Sequence, residues 1–176
     1  MLLIITGCIK VNDNTPYVAV RDDRLRLDDY ISTIKWAIES EVFDKIVFCD
    51  NSGYVYDDKE IQDLAKIRLK KFEWLCFQAS PDLVNTYGKG YGEGEIIKYV
   101  LNNSKIISDS DYFFCKIKGR LRISNIENLL RKDRNCFMKS IIQKKLIRDF
   151  IVYLWILIKS ICSMHIKIHM ILKEST

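Results

Sequence analysis

Paired metal- or disulfide-type cysteines are missing from this chain. Its cysteines, Cys8, Cys49, Cys76, Cys115, Cys136 and Cys162, are scattered, none forms a CxxC, and no histidine stands beside them at ligand spacing. A zinc ribbon or a disulfide scaffold is therefore not expected. Several of these cysteines fall in apolar strand-like runs, where a free thiol behaves as a small buried hydrophobe, so a reducing cytoplasm is expected. An excess of one charge is also missing from most of the chain. The net charge is +5, but residues 143–176 carry six Lys/Arg against two acids, leaving 22 against 21 for residues 1–142. A nearly neutral body argues against a nucleic-acid binder held by counterion release. No GxSxG or CxxxxxR nucleophile loop occurs, which weakens an α/β hydrolase or phosphatase reading. The opening MLLIITGCIKVNDN lacks a basic n-region and is apolar for too few residues, so it reads as a strand and not as a signal peptide.

What is present suits one compact domain: 176 residues, 48% hydrophobic, enough to bury a core. Leu2–Thr6 is a continuous apolar run ending at Gly7, the signature of a strand buried on both faces. Leu27–Ser40 has apolar residues at helical spacing, with Asp28 and Asp29 in its first turn. Lys45–Cys49 is a second buried strand, closed by the turn cluster Asp50-Asn51-Ser52-Gly53. Glu60–Lys71 reads as a helix, Glu73–Phe77 as a third strand, Glu93–Asn103 as a helix and Tyr112–Ile117 as a fourth strand, with a short helix over Ser124–Arg131. Strand alternating with helix predicts an α/β fold with a mostly parallel sheet and right-handed crossovers. In such sheets ligands bind outside the carboxyl ends of the strands. Those ends supply Thr6-Gly7, Asp50-Asn51-Ser52, Gln78 and Lys118-Gly119-Arg120. The stretch YGKGYGEGEIIKYV (87–100) holds four of the chain's seven glycines. It opens a helix that follows a strand, so its amides are expected on the same rim, where a helix amino end attracts anions.

Three blocks in order, IVFCDNS (46–52), GKGYGEGEIIKYVLNNS (88–104) and YFFCKIKGRLRISNI (112–126), resemble a family of bacterial glycosyltransferases encoded in O-antigen and capsular polysaccharide loci. The resemblance covers roughly residues 1–142. It implies a GT-A, Rossmann-like α/β fold and transfer of a sugar from a nucleotide-sugar donor to a lipid-linked glycan at the inner membrane surface. It also implies a cytoplasmic protein, in peripheral contact with that membrane, with no nucleic-acid partner. Carried onto this sequence, Thr6, Asp50, Asn51 and Ser52 would face the donor nucleotide. Gly88, Lys89 and Gly90, with the backbone reaching to Gly92, would approach its diphosphate, where no Cβ intervenes. Lys116, Lys118 and Arg120 match the family's last block. Lys118 and Arg120 would neutralise the leaving diphosphate, Arg by gripping two oxygens at once. Glu93 or Glu95 would take the acceptor hydroxyl's proton, as an inverting transfer requires.

Plainer readings stand beside these. Glycines make loops, acids are favoured in a first helical turn by the dipole alone, Asp50-Asn51 is ordinary turn chemistry, and Lys116 fits a half-solvated strand face. Asp109-Ser110-Asp111 spells DxD, the pattern that holds a divalent metal in many such transferases. It precedes its strand and so belongs at the amino end, away from the ligand rim. A Mg or Mn ion is accordingly not favoured, and Lys118 and Arg120 are expected to replace it.

Residues 143–176 change character, with no glycine or proline and a crowd of Ile, Leu, Lys, Met and His. The apolar run FIVYLWILI (150–158), bracketed by Arg148, Asp149 and Lys159, is short of the roughly 18–20 residues a spanning helix needs. An interfacial segment, with Lys159 and Lys167 snorkelling, and a packed C-terminal helix both fit. His165 and His169 sit four apart, but in such a tail they are not read as a metal pair. The preferred reading is a frameshift after Gln143: Gln-Lys-Lys (143–145) can be written in adenines, and rereading 146–159 one frame over yields DTRFYCVSLDFNK with permitted codons. In that string the second Asp is forced, because TGG for Trp155 followed by any Ile codon gives GAT. On that reading residues 1–142 are a nucleotide-sugar-binding domain of a truncated, inactive transferase, and the tail is an added apolar helix. The gene's bases across codons 143–146 test it. The rival reading is a non-catalytic accessory or scaffolding protein of the same pathway, docked at the membrane.

Overall fold

The computed structural model describes residues 1–12, 15, 18–111, 113–131 and 155–156. Four parallel strands form its sheet: β1 (Leu2–Gly7), β2 (Lys45–Asp50), β3 (Lys71–Cys76) and β4 (Phe113–Lys118), in the order β3-β2-β1-β4. Register aligns Thr6 with Cys49 on one side and with Lys118 on the other, so the carboxyl ends finish level. Two residues, Trp155–Ile156, form β5 and pair antiparallel with Phe113 and Phe114. The helical tail expected over 143–176 otherwise lies outside the described residues.

β1, β2 and β4 are buried on both faces, so their alternate side chains build two separate cores, while the outer strand β3 is half-buried. Leu3, Ile5, Phe48 and Ile117 point towards α1 (Asp23–Glu39), α2 (Lys59–Ile67) and α5 (Ile126–Arg131), meeting Ile34, Ile38, Ile61 and Ile126. Leu2, Ile4, Val47 and Phe114 point the other way, meeting Ile96 and Val100 of α4 (Lys89–Asn103). Each fully buried aliphatic side chain contributes about 1.5–3 kcal/mol. Helices thus cover both faces of the sheet. The crossover changes face between β3 and β4, while α1 and α5, which follow the neighbouring strands β1 and β4, pack on the same face.

Several boundaries differ from expectation. Helix α1 begins four residues early because Asp22 caps it, its carboxylate accepting from the Leu25 amide at 2.9 Å. Helix α2 stops at Ile67, since Leu69 takes a left-handed φ of 56° and the chain turns at once into β3. A separate short helix, α3 (Pro81–Tyr87), was not expected, although Ser80 followed by Pro81 is a helix-start signal. The largest difference lies in the glycine stretch. Gly90, Gly92 and Gly94 are inside α4, whose first residue is Lys89, and only Gly88, at φ 83°, is a non-helical joint between α3 and α4.

Candidate functional site

The carboxyl rim is organised around Asp50, the last residue of β2 and fully buried. Its carboxylate accepts hydrogen bonds from the Ile9 amide (2.7 Å), the Ser52 amide (2.9 Å), the Ser52 hydroxyl and the Tyr54 amide (3.1 Å). The Ser52 hydroxyl oxygen also accepts from the Lys10 amide. Asp50 and Ser52, expected to face a nucleotide, therefore tie together the loops that follow β1 and β2.

A second anchor was invisible in the sequence. Arg26, in the first half of α1, is 6% exposed. Its guanidinium donates to the carbonyls of Cys8, Ile9 and Val20, and its aromatic neighbour one turn on, Tyr30, donates to Cys8 O and accepts from Cys8 N. An arginine among polar helix residues reads as solvated; nothing in its spacing signals that four hydrogen bonds to backbone carbonyls await it across the loop. The loop after β1 is thus held from α1 on one side and from β2 on the other.

At the β1–β4 boundary the backbones close up. The Gly119 amide donates to Thr6 O at 2.9 Å, and the Thr6 hydroxyl donates to Ile117 O. Gly119 lies against the Tyr30 ring so tightly that a Cβ there would sit 2.5 Å from it. Thr6 is itself buried.

Lys116 and Lys118 alternate with Ile117 along β4, so both face α4. The Lys116 side chain is 2% exposed, beneath α4 and not on a half-solvated face, and its ammonium meets the Glu93 carboxylate at 2.5 Å. The other oxygen of Glu93 lies 3.6 Å from the Lys118 ammonium, whose side chain is 38% exposed. Burial pushes the Lys116 pKa below the ordinary lysine value; Glu93 opposes that shift and Lys118 adds to it. Arg120, just past the strand, stands 3.7 Å from Asp29 of α1.

Glu95 takes a hydrogen bond from the Tyr91 hydroxyl at 3.1 Å, while its other oxygen is buried without a partner. It also edges a shallow depression of about 190 Å³ that Phe77, Lys98, Tyr99, Asn102 and Asn103 line, Phe77 and Tyr99 being stacked at 4.5 Å. A Cβ on Gly92 would meet Val84 at 3.3 Å and Asn51 Nδ2 at 3.4 Å, so the absent side chain lets α4 approach the loop after β2. The Asn51 side-chain oxygen is buried and unpartnered.

The three separated segments, 50–52, 88–95 and 118–120, therefore do meet on one rim. The diphosphate cradle does not take the expected form. Helical geometry commits amides from Gly92 onward to the carbonyls four residues back, leaving only the first turn, Lys89, Gly90 and Tyr91, with open amides. Of these, the Tyr91 amide already approaches Gly88 O at 3.2 Å.

Asp109-Ser110-Asp111 lies at the amino end of β4, as its position before the strand implied. Asp111 accepts from Lys45, the first residue of β2, at 2.6 Å. Burial alone would raise its pKa, but bonds from Lys45 and from the Ser108 amide and hydroxyl hold it below the usual carboxylate range. Among the described residues, no three His, Cys, Asp or Glu side chains cluster as metal ligands, and no helix is long and apolar enough to cross a membrane. Compared with known proteins, the chain matches no family model, no curated protein and no solved structure.

Proposed function

We propose that this protein is the donor-binding part of a nucleotide-sugar-dependent glycosyltransferase of GT-A type, acting in surface polysaccharide synthesis. The observation that carries the reading is the pair of partly exposed cations, Lys118 and Arg120, at the carboxyl end of β4, 38% and 31% exposed. They stand at the level carboxyl ends of the parallel strands, the rim outside which open α/β sheets bind ligands. On this reading Lys118 and Arg120 take the diphosphate, and the loop after β1, pinned by Arg26 and Asp50, lies beside the nucleoside. The acceptor is a lipid-linked glycan, met by a cytoplasmic protein at the inner membrane surface. The tests are thermal unfolding in nucleoside diphosphates and in nucleotide sugars. A ligand at a hundred times its Kd adds about 2.7 kcal/mol, a rise of roughly 5–10 °C for a domain of this size. The rise is lost in Arg120→Ala. A flat response to every nucleotide refutes the reading and leaves the scaffold alternative.

A further inference from the structure

Both cations on the rim are already facing carboxylates of the protein's own. Glu93 of α4 bridges Lys116 and Lys118, at 2.5 Å and 3.6 Å, and Asp29 of α1 stands 3.7 Å from Arg120. The two carboxylates come from helices on opposite faces of the sheet. Each therefore reaches the rim over its own side, and neither blocks the other.

The two pairs differ in depth. Asp29 is 53% exposed, so its attraction for Arg120 is weakened by water. Glu93 is 27% exposed and Lys116 only 2%, so the Glu93 carboxylate sits at the mouth of a drier recess. A carboxylate with one oxygen on each of two ammonium groups has the charge and the spread of a phosphate edge. With one oxygen on each ammonium group, Glu93 has the geometry of an anion holding a site.

We propose that Glu93 is an internal stand-in for the phosphoryl group: it occupies the Lys116–Lys118 anion site in the empty protein, and an incoming diphosphate must displace it from Lys118. This deepens the reading of the rim as a diphosphate site and rests on it. Displacement leaves Lys116 as the retained partner of Glu93, so the buried ammonium is never left without a countercharge. Lys118, the more exposed of the two, is the cation that changes partners. Glu93 is thus a positioning residue that lowers affinity for anions until one with enough charge arrives.

The experiment measures inorganic pyrophosphate and nucleoside diphosphate binding by calorimetry to the full chain and to Glu93→Gln. Removing the competing carboxylate tightens pyrophosphate binding roughly three- to tenfold. Because Glu93→Gln strands the buried Lys116, the same comparison is made in a Lys116→Met background. There, Lys116→Met/Glu93→Gln binds pyrophosphate at least about threefold tighter than Lys116→Met alone, since Glu93 still competes for Lys118 in the latter. Equal or weaker binding on removing Glu93, in both backgrounds, overturns the proposal. If the wild-type chain then still binds nucleoside diphosphate, the transferase reading survives that failure. If pyrophosphate binding tightens as stated while no nucleoside diphosphate binds, the anion site stands and the transferase reading falls. If no protein binds either ligand, both fall.

Discussion

Adding one methyl group at Gly119 and one at Gly94 is expected to move stability in opposite directions. At Gly119 a Cβ would lie 2.5 and 2.6 Å from two carbons of the Tyr30 ring and 2.8 Å from the Thr6 carbonyl oxygen. Unstrained carbon contacts sit near 3.5–4.0 Å, so about 1 Å of overlap must be relieved. Neither neighbour can retreat easily. The Tyr30 hydroxyl is bonded to both the amide and the carbonyl of Cys8, and its ring packs on Phe48 at 5.3 Å between centroids. Thr6 is the last-but-one residue of the central strand and accepts from Gly119 itself. The cost is therefore placed at the upper end of overpacking, about 3 kcal/mol. At Gly94, in an exposed turn of α4, a Cβ meets nothing within 4 Å. There, Ala removes backbone entropy from the unfolded chain and stabilises by about 0.5–1 kcal/mol. Urea unfolding followed by tryptophan fluorescence reads both. With a slope of about 1.5–2 kcal/mol/M, Gly119→Ala lowers the midpoint by roughly 1.5–2 M and Gly94→Ala raises it by roughly 0.3–0.6 M. A loss of under about 1 kcal/mol in Gly119→Ala would refute the claim that the β1–β4 boundary is rigid.

Asp50→Ala leaves the Ile9, Ser52 and Tyr54 amides facing a void and is expected to cost about 3 kcal/mol or more, with new proteolytic cleavage within residues 8–20. Arg26→Lys, although it keeps the charge, cannot reach Cys8, Ile9 and Val20 together; limited proteolysis should open the same loop, and an unchanged cleavage pattern would contradict the pinning. Burial pushes the Cys8 thiol up to about 11 and the Cys115 thiol up to about 12, from 9.0. These are raised pKa values on groups that are neutral when protonated, so their contribution is whole below pH 9 and is lost as pH climbs through 11 and 12. Stability should fall in that alkaline window, and at pH 8 alkylation of Cys8 and Cys115, read by peptide mass spectrometry, should follow unfolding and not precede it.

The strands and the α/β class were legible because parallel strands buried on both faces announce themselves as unbroken apolar runs. Leu2–Gly7 and Lys45–Asp50 follow that rule to within a residue. The glycine stretch misled because Gly90, Gly92 and Gly94 cost helix propensity in isolation, yet packing of Ile96 and Val100 on the sheet carries α4 through them. Meeting of the three rim segments followed from topology alone. The partners of the rim residues did not. Glu93 and Lys116 are 23 residues apart, and their union depends on which way β4 turns its alternate side chains beneath α4. Arg26 was hidden for the same reason: its role is set by carbonyls that only the folded loop brings within reach.

The central strand of the sheet is the first to be made and one of the last to be completed. Thr6 and Ile117, joined across β1 and β4, are 111 residues apart, whereas β1 meets β2 after only one helix. During synthesis β1, β2 and β3 can assemble while the other flank of β1 stays bare, with its amides and carbonyls facing outward. A nascent chain halted before residue 113 should accordingly stick to other chains through that flank. Ribosome release past β4 should end the hazard, so a pause site or a chaperone would matter most within that span.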